Sequence, residues 1–206
     1  MSQKTTIEIG LIHLGSSDSV MASLIQELPR YSHNESPSPF YSLVRSIISQ
    51  QLSVKAAKTI YDRYLDLMGF PYHAEQLDRM DIEKLRAVGL SYSKSNYIKN
   101  VAAKVLENED YFLGLQSSSD DEVLKELTTI KGVGVWTAQM FLMFTLGRLD
   151  VLPLGDVGIQ NAVQKFYQLD AKPDPAQLQK IAAKWAPYRT IGCWYLWQAL
   201  DAKPLK

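Results

Sequence analysis

Two glycines one residue apart, Gly132 and Gly134, interrupt a chain that keeps helical spacing on both sides of them. Upstream, Asp120, Asp121 and Glu122 stand where a helix dipole favours negative charge, and Val123, Leu124 and Leu127 continue with helical spacing. Downstream, a strongly apolar run reaches about Leu146. Glycines at this spacing permit a tight turn with positive φ and a close approach of backbone to another surface. The stretch Leu127-Thr-Thr-Ile-Lys-Gly-Val-Gly-Val-Trp-Thr-Ala-Gln-Met140 is therefore predicted to be helix, turn and helix. Its turn amides, with those of the next helix start, would point outward and suit a phosphate oxygen. Gly-x-Gly alone is more often a plain helix–helix turn, so its context has to decide.

The rest of the chain reads the same way, and the expected class is all-α. Asp18 can cap a helix with Val20, Met21, Leu24, Ile25 and Leu28 on its apolar positions, ending near Pro29. Ser32–Pro39, with two prolines, reads as a loop. From Phe40 a helical stripe runs through Leu43, Val44, Ile47 and Ile48. It pauses at Ser49-Gln50-Gln51-Leu52-Ser53 and resumes through Ala56, Ala57, Ile60 and Tyr64 to about Met68. Short helices are expected at Ala74–Leu77 and Ile82–Val88, and a longer one at about Lys94–Leu106. A loop is expected around Gly147–Gly155, then helices at about Val157–Tyr167, Pro175–Trp185 and Thr190–Leu200. Only Thr5–Ile12 alternates enough to be read as an extended segment along a surface.

Composition narrows the function. The charges balance, 22 basic against 22 acidic, so any nucleic-acid role has to rest on local placement rather than on a global field. From Lys84 to Lys104 there are five basic residues (Lys84, Arg86, Lys94, Lys99, Lys104) and no acidic one; Lys131 and Arg148 lie between Glu126 and Asp150 in the same way. Solvated helix faces and a phosphate track fit this pattern equally well. Cys193 is the only cysteine, which excludes an internal disulfide and a four-thiolate cluster. His13, His33 and His73 show no metal-ligand spacing and read as surface or loop residues. No apolar run is long enough to span a membrane, and Met1–Gly10 lacks a signal-peptide core, so an intracellular protein is expected.

Four blocks in order give the hairpin its context: Ser46-Ile-Ile-Ser-Gln-Gln-Leu-Ser-Val-Lys-Ala-Ala57, the hairpin itself, Leu152-Pro-Leu-Gly-Asp-Val-Gly158, and Trp185-Ala-Pro-Tyr-Arg-Thr-Ile-Gly-Cys-Trp-Tyr-Leu-Trp197. With these blocks the chain resembles the helix-hairpin-helix DNA glycosylases, in particular the 3-methyladenine DNA glycosylase II type in a short form without the N-terminal β domain. The resemblance covers about residues 18 to 200. It implies two helical lobes, residues 1–36 with 151–206 and residues 37–150, with the hairpin motif at about 121–146 and an active-site cleft between the lobes. It also implies a monomer acting on double-stranded DNA at a damaged base.

The family assigns catalysis to the aspartate after the hairpin, which is Asp156 here. Ile159, Ala162, Val163 and Phe166 have helical spacing, so Asp156 also sits where an N-cap belongs. Both roles are compatible, because the helix dipole favours an anion there and that anion can stabilise an oxocarbenium-like sugar. Glycosidases generally need a second carboxyl group to protonate the leaving group. None is evident near Asp156, which suits N3- or N7-alkylated purines that leave already cationic. Where related enzymes that also cut the backbone carry a nucleophilic lysine, this chain has Trp136, so no Schiff base can form and an abasic site is the expected product.

By resemblance Trp136 and Trp197 line a base pocket in which indole faces attract a flipped cationic purine. Met140, one turn after Trp136, and Val157 stand where better-known members can carry aromatics. Trp185 and Trp194 read as core. The turn Gln50–Ser53 would supply the side chain that fills the gap left by the flipped base, Gln51 or alternatively Leu52; a simple polar helix break is the other reading. Lys94, Lys131, Gly132, Val133, Gly134 and Thr137 are the remaining candidate DNA contacts. A monovalent cation, Na⁺ or K⁺, between the Ile130 and Gly132 carbonyls is a further implication, with no catalytic metal expected. Arg189 suits a structural ion pair or a DNA contact. Two rival functions follow from the same residues: a glycosylase for another base lesion, and a catalytically silent protein that grips DNA through the hairpin.

Overall fold

The computed structural model describes residues 3–32 and 38–201, and among the described residues every regular element is a helix. The chain starts with α1 (Gln3–Ser17) and α2 (Ser19–Glu27). Next come α3 (Pro39–Ser49), α4 (Val54–Met68), α5 (Ala74–Arg79), α6 (Ile82–Ala87), α7 (Tyr92–Glu107), α8 (Tyr111–Ser117), α9 (Asp120–Thr128) and α10 (Val135–Phe144). It closes with α11 (Val157–Phe166), α12 (Pro175–Ala182), a 3-10 turn (Ala183–Trp185) and α13 (Arg189–Asp201). Two compact units result: Met1–Asn34 with Gly147–Lys206, and Glu35–Leu146. The all-α class holds. Most of the expected Ser32–Pro39 loop, His33 included, lies outside the described residues.

Thr5–Ile12 corrects an expectation, since it is helical and part of α1. Its β-branched residues favour a strand, but the buried positions are Gly10, Leu11 and Leu14, a helical spacing. A β-carbon on Gly10 would come within 2.8 Å of the Tyr188 ring and 2.9 Å of Ile191. That close packing decides the conformation, because tertiary contacts override local β preference. The helix α8 was not anticipated either; it is short, and only Tyr111 and Leu115, one turn apart, are buried on it.

The first unit is organised around a buried carboxylate. Asp18 caps α2, accepting from the Val20 and Met21 amides at 2.9 and 3.3 Å. Its other oxygen accepts from the Tyr167 hydroxyl at 2.6 Å and from Trp185 Nε1 at 2.9 Å. Lys184 adds its ammonium at 3.1 Å. One side chain thereby joins α2, the end of α11 and the 3-10 turn, with Trp185 fully buried beside it. Burial pushes this carboxyl up, but the bonds from Tyr167, Trp185, Lys184 and the Met21 amide outweigh it and hold its pKa below the usual value.

The second unit is built on α3, where Phe40, Leu43, Val44, Ile47 and Ile48 are all buried, the stripe that the sequence spacing demands. It packs against α4, α7 and α10. Each such side chain stabilises the fold by roughly 1.5–3 kcal/mol relative to exposure.

Most of the basic run between Lys84 and Lys104 has partners within the unit. Lys94 donates to the Ile48 and Gln50 carbonyls at 2.8 and 2.6 Å, closing the C-terminal end of α3. Lys99 does the same for α5 through the Asp78 carbonyl and that of Met80. Arg86 pairs with Glu83, and Lys104 with Glu107. Four of the five positive charges therefore have partners within the unit.

Candidate active site

In the first unit, α11 begins at Asp156, whose backbone is extended (φ −75°, ψ 115°) and whose Oδ1 accepts from the Ile159 amide at 2.8 Å. The N-cap expected from the spacing of Ile159, Ala162 and Val163 is present, and those three side chains are buried. The same Oδ1 accepts a second hydrogen bond, 3.0 Å long, from Trp197 Nε1 on α13. Two N–H donors converging on one oxygen fix the orientation of a carboxylate that is only 8% exposed. Trp197 is thus placed with its ring nitrogen on the carboxylate.

Gly158 makes this meeting sterically possible. A β-carbon there would lie 3.0 Å from Asp156 Oδ1, 3.1 Å from Trp197 Nε1 and 3.2 Å from Trp197 Cδ1. The sequence reading passed over this residue. A signal existed, since an isolated glycine early in a helical pattern costs helix propensity and usually has a packing reason.

Val157 is exposed beside Asp156 at 58%. Arg189 forms a bidentate pair with Asp150, Nε to Oδ1 at 2.7 Å and Nη2 to Oδ2 at 2.8 Å, which favours the ion-pair reading of this arginine. Beside it, the buried Thr190 hydroxyl donates to the Arg148 carbonyl and accepts the Val151 amide, bracing the segment that leads to Asp156. Cys193 is fully buried, and desolvation pushes its thiol far up, so it is inert. Of the core tryptophans, Trp185 is fully buried, while Trp194 is half-buried and meets Tyr31 and Tyr195 edge-on.

In the second unit, α9 ends at Thr128 and α10 starts at Val135, with the glycine turn between them. Gly132 has φ +106°, and a β-carbon on it would collide with the Tyr97 ring, so this glycine serves both the turn and the packing. The carbonyls of the turn are held from within: Ile130 accepts the Val133 amide, Lys131 accepts Asn100 Nδ2, and Gly132 accepts Gln50 Nε2. Gly134 is the N-cap of α10 and provides no side-chain cap. In this respect α10 resembles α3, α5 and α8 and differs from α4, α7, α9, α11 and α12, whose first turns are capped by a side chain.

Lys131 is exposed next to this helix start, whereas the side chains of Val133 and Thr137 are buried. Trp136 is 43% exposed and shares a face of α10 with the half-buried Met140. In the turn after α3, Gln51 takes φ +58°, and both it and Leu52 are exposed. Lys94 lies at this turn rather than at the hairpin. No group of His, Cys, Asp and Glu among the described residues is arranged to hold a metal ion. No described helix is long and apolar enough to cross a membrane.

The chain is similar over most of its length to several known proteins. Over 193 residues the chain is 34% identical to the alkylbase DNA glycosidase-like protein mag2 of Schizosaccharomyces pombe, covering 90% of each chain. Among solved structures, a DNA-3-methyladenine glycosidase from Bacillus halodurans is similar at 41% identity and TM-score 0.79, over 92% of this chain and 88% of that one. The S. pombe 3-methyladenine DNA glycosylase Mag1, solved with abasic DNA, is similar at 32% identity and TM-score 0.85, over 96% of this chain and 98% of that one. Residues 44–188, which include the turn after α3, the glycine hairpin and Asp156, match the HhH-GPD superfamily of base excision DNA repair proteins, and the chain belongs to that family.

Proposed function

We propose that this protein is a monofunctional DNA glycosylase that hydrolyses the N-glycosidic bond of alkylated purines, of the 3-methyladenine and 7-methylguanine type, in duplex DNA. The observation that carries the proposal is Asp156, nearly buried at a helix N-terminus and held on one oxygen by Ile159 and Trp197. Its relatives named as 3-methyladenine glycosylases support the substrate class.

In this reading one chain acts on one duplex and the damaged nucleotide is turned out of the stack. Its cationic base meets the exposed Trp136 indole, with Met140 on the same face of α10. The C1′–N bond breaks with its electron pair going to the base, which departs neutral. The sugar becomes an oxocarbenium ion facing the Asp156 carboxylate, whose fixed negative charge lowers the barrier. Water then adds at C1′ and releases its proton. No second acid is required because the leaving group is positively charged from the start. Trp136 has no amine, so the abasic product is not attacked and the strand stays intact.

The start of α10, where Gly134 has no side chain to cap it, and the exposed Lys131 suit a phosphate of the duplex. Ile130 and Gly132 fit a monovalent cation at this point: each carbonyl accepts one hydrogen bond and retains a second lone pair. Na⁺ or K⁺ held by them would add positive charge facing that phosphate. Gln51, or Leu52 beside it, is the candidate to fill the vacated stack.

The test is chromatography of bases freed from methylated duplex DNA, with strand integrity followed before and after alkali. Free 3-methyladenine or 7-methylguanine, and strand breaks only after alkali, are expected. DNA binding without release of any base would overturn the proposal in favour of a silent DNA-gripping protein, and breaks before alkali would overturn its monofunctional part.

A further inference from the structure

The turn after α3 and the glycine hairpin are 80 or so residues apart in sequence, yet a single side chain joins them. Gln50 Nε2 donates to the Gly132 carbonyl at 3.0 Å and to the buried Thr137 hydroxyl at 3.1 Å. At its other end, the Gln50 carbonyl accepts the Lys94 ammonium at 2.6 Å, which also holds the Ile48 carbonyl. Gln50 is therefore fastened at its backbone to α7 and at its amide to the hairpin and to the first turn of α10.

The surroundings explain why such fastening is needed. The turn lines an open depression of about 230 Å³ together with Ile60, Leu90 and Lys94. Apolar contacts alone do not fix a segment placed this way. The next residue, Gln51, adopts a left-handed backbone at φ +58°, a conformation that non-glycine residues keep only when their neighbours over-determine it. The neighbours that do so are the hydrogen bond from the Leu52 amide to the Ser49 carbonyl and the two anchors on Gln50.

We propose that Gln50 is a positioning residue that couples the backbone-gripping hairpin to the base-displacing turn, setting the distance between the held phosphate and the inserted side chain. The proposal rests on the reading given above, in which the hairpin grips a phosphate and Gln51 or Leu52 enters the stack. Lys94 acts in the same device, as the strut under the Gln50 carbonyl. Its partly buried ammonium serves the turn and adds no free charge to the DNA-binding face.

The experiment compares wild type with Gln50→Met, which keeps length and packing but loses both donated bonds, and with Gln50→Glu, which keeps the polar surface but loses the donor. Three quantities are read: anisotropy-detected binding to duplex DNA, fluorescence of 2-aminopurine placed beside a methylated or abasic nucleotide, and single-turnover base release. A thermal melt checks that each variant is folded. Both variants are expected to bind duplex within about threefold of wild type while losing most of the 2-aminopurine enhancement and at least tenfold of base release. Adding Gln51→Ala and Leu52→Ala together to Gln50→Met is expected to lower release no further than those two substitutions do alone, because Gln50 acts through the side chains they remove. Unchanged 2-aminopurine signal in folded variants, or losses that multiply in the combined protein, would overturn the coupling. If wild type itself leaves 2-aminopurine stacked, the insertion reading fails and takes the coupling with it; if it unstacks the base but releases none, only the alkylpurine chemistry fails, and the fluorescence comparison still decides the coupling.

Discussion

At position 158 a β-carbon would lie 3.0 Å from Asp156 Oδ1 and 3.1 Å from Trp197 Nε1, so these groups would have to give by a few tenths of an ångström to admit it. Alanine is the better helix former by about 1 kcal/mol, so Gly158→Ala should leave thermal stability equal or slightly raised. Base release should nevertheless fall, by roughly tenfold or more if the carboxylate is displaced by a few tenths of an ångström. A single-turnover assay beside a thermal melt checks this, and full activity in the alanine variant would show that the contact is slack. Gln51 presents a comparable opposition. A left-handed residue at the end of α3 is the usual place for glycine, and glutamine there costs on the order of 1 kcal/mol. Gln51→Gly is thus expected to stabilise the protein by up to about that amount while reducing release from duplex DNA, as a residue kept for its side chain would. A destabilised glycine variant would contradict the strain argument. The N-cap at Asp156 was legible in the sequence, because capping and helical spacing are local signals. The sequence reading did not reach Gly158, the Trp197 bond to Asp156 or the Gln50 bond to Gly132, which join residues 41 and 82 apart. Such contacts depend on how helices pack, and no local pattern encodes them.

Helices with a strong apolar stripe were legible to within a turn, as α3 shows: Phe40 to Ile48 follow one face and all five expected positions are buried. α1 was not, because its β-branched residues imitate a strand and only its packing at Gly10 selects the helix. The lysines of α7 were ambiguous for a related reason. Helical spacing puts Lys94 and Lys99, five residues apart, on different sides of α7, but it does not show which carbonyls they close, and those belong to α3 and α5. The carboxylate of Asp18 joins elements in the same manner and yields a prediction about acid. Its folded pKa is below the unfolded value near 3.8, so its stabilisation is fully present above that value and is lost as pH falls through the lower, folded one. The melting temperature of wild type should therefore drop below about pH 4. Asp18→Asn should destabilise the protein at pH 7 by about 2–4 kcal/mol, since buried donors from Trp185 and Tyr167 lose a charged acceptor. Equal stability of the variant and wild type at neutral pH would remove Asp18 from its central place in the first unit.

For the molecule as a whole, a balanced charge of 22 against 22 shifts DNA recognition from a global field to a few oriented groups. In the proposed reading the start of α10, the exposed Lys131 and the turn held by Gln50 are such groups in one unit, and the carboxylate of Asp156 is the proposed reactive group in the other. Family membership sets the general task, base excision repair of DNA. The proposed chemistry narrows it to bases that leave without help, because one carboxylate is all that it uses. The most direct test is single-turnover release of 3-methyladenine from methylated duplex DNA by wild type and by Asp156→Asn, which keeps the hydrogen-bond acceptor and removes the charge. The account predicts release by wild type, a loss of at least about a hundredfold in the variant, as removal of a main electrostatic stabiliser implies, and duplex binding little changed. Release by the asparagine variant within a few fold of wild type would contradict it and assign the catalytic charge to another residue.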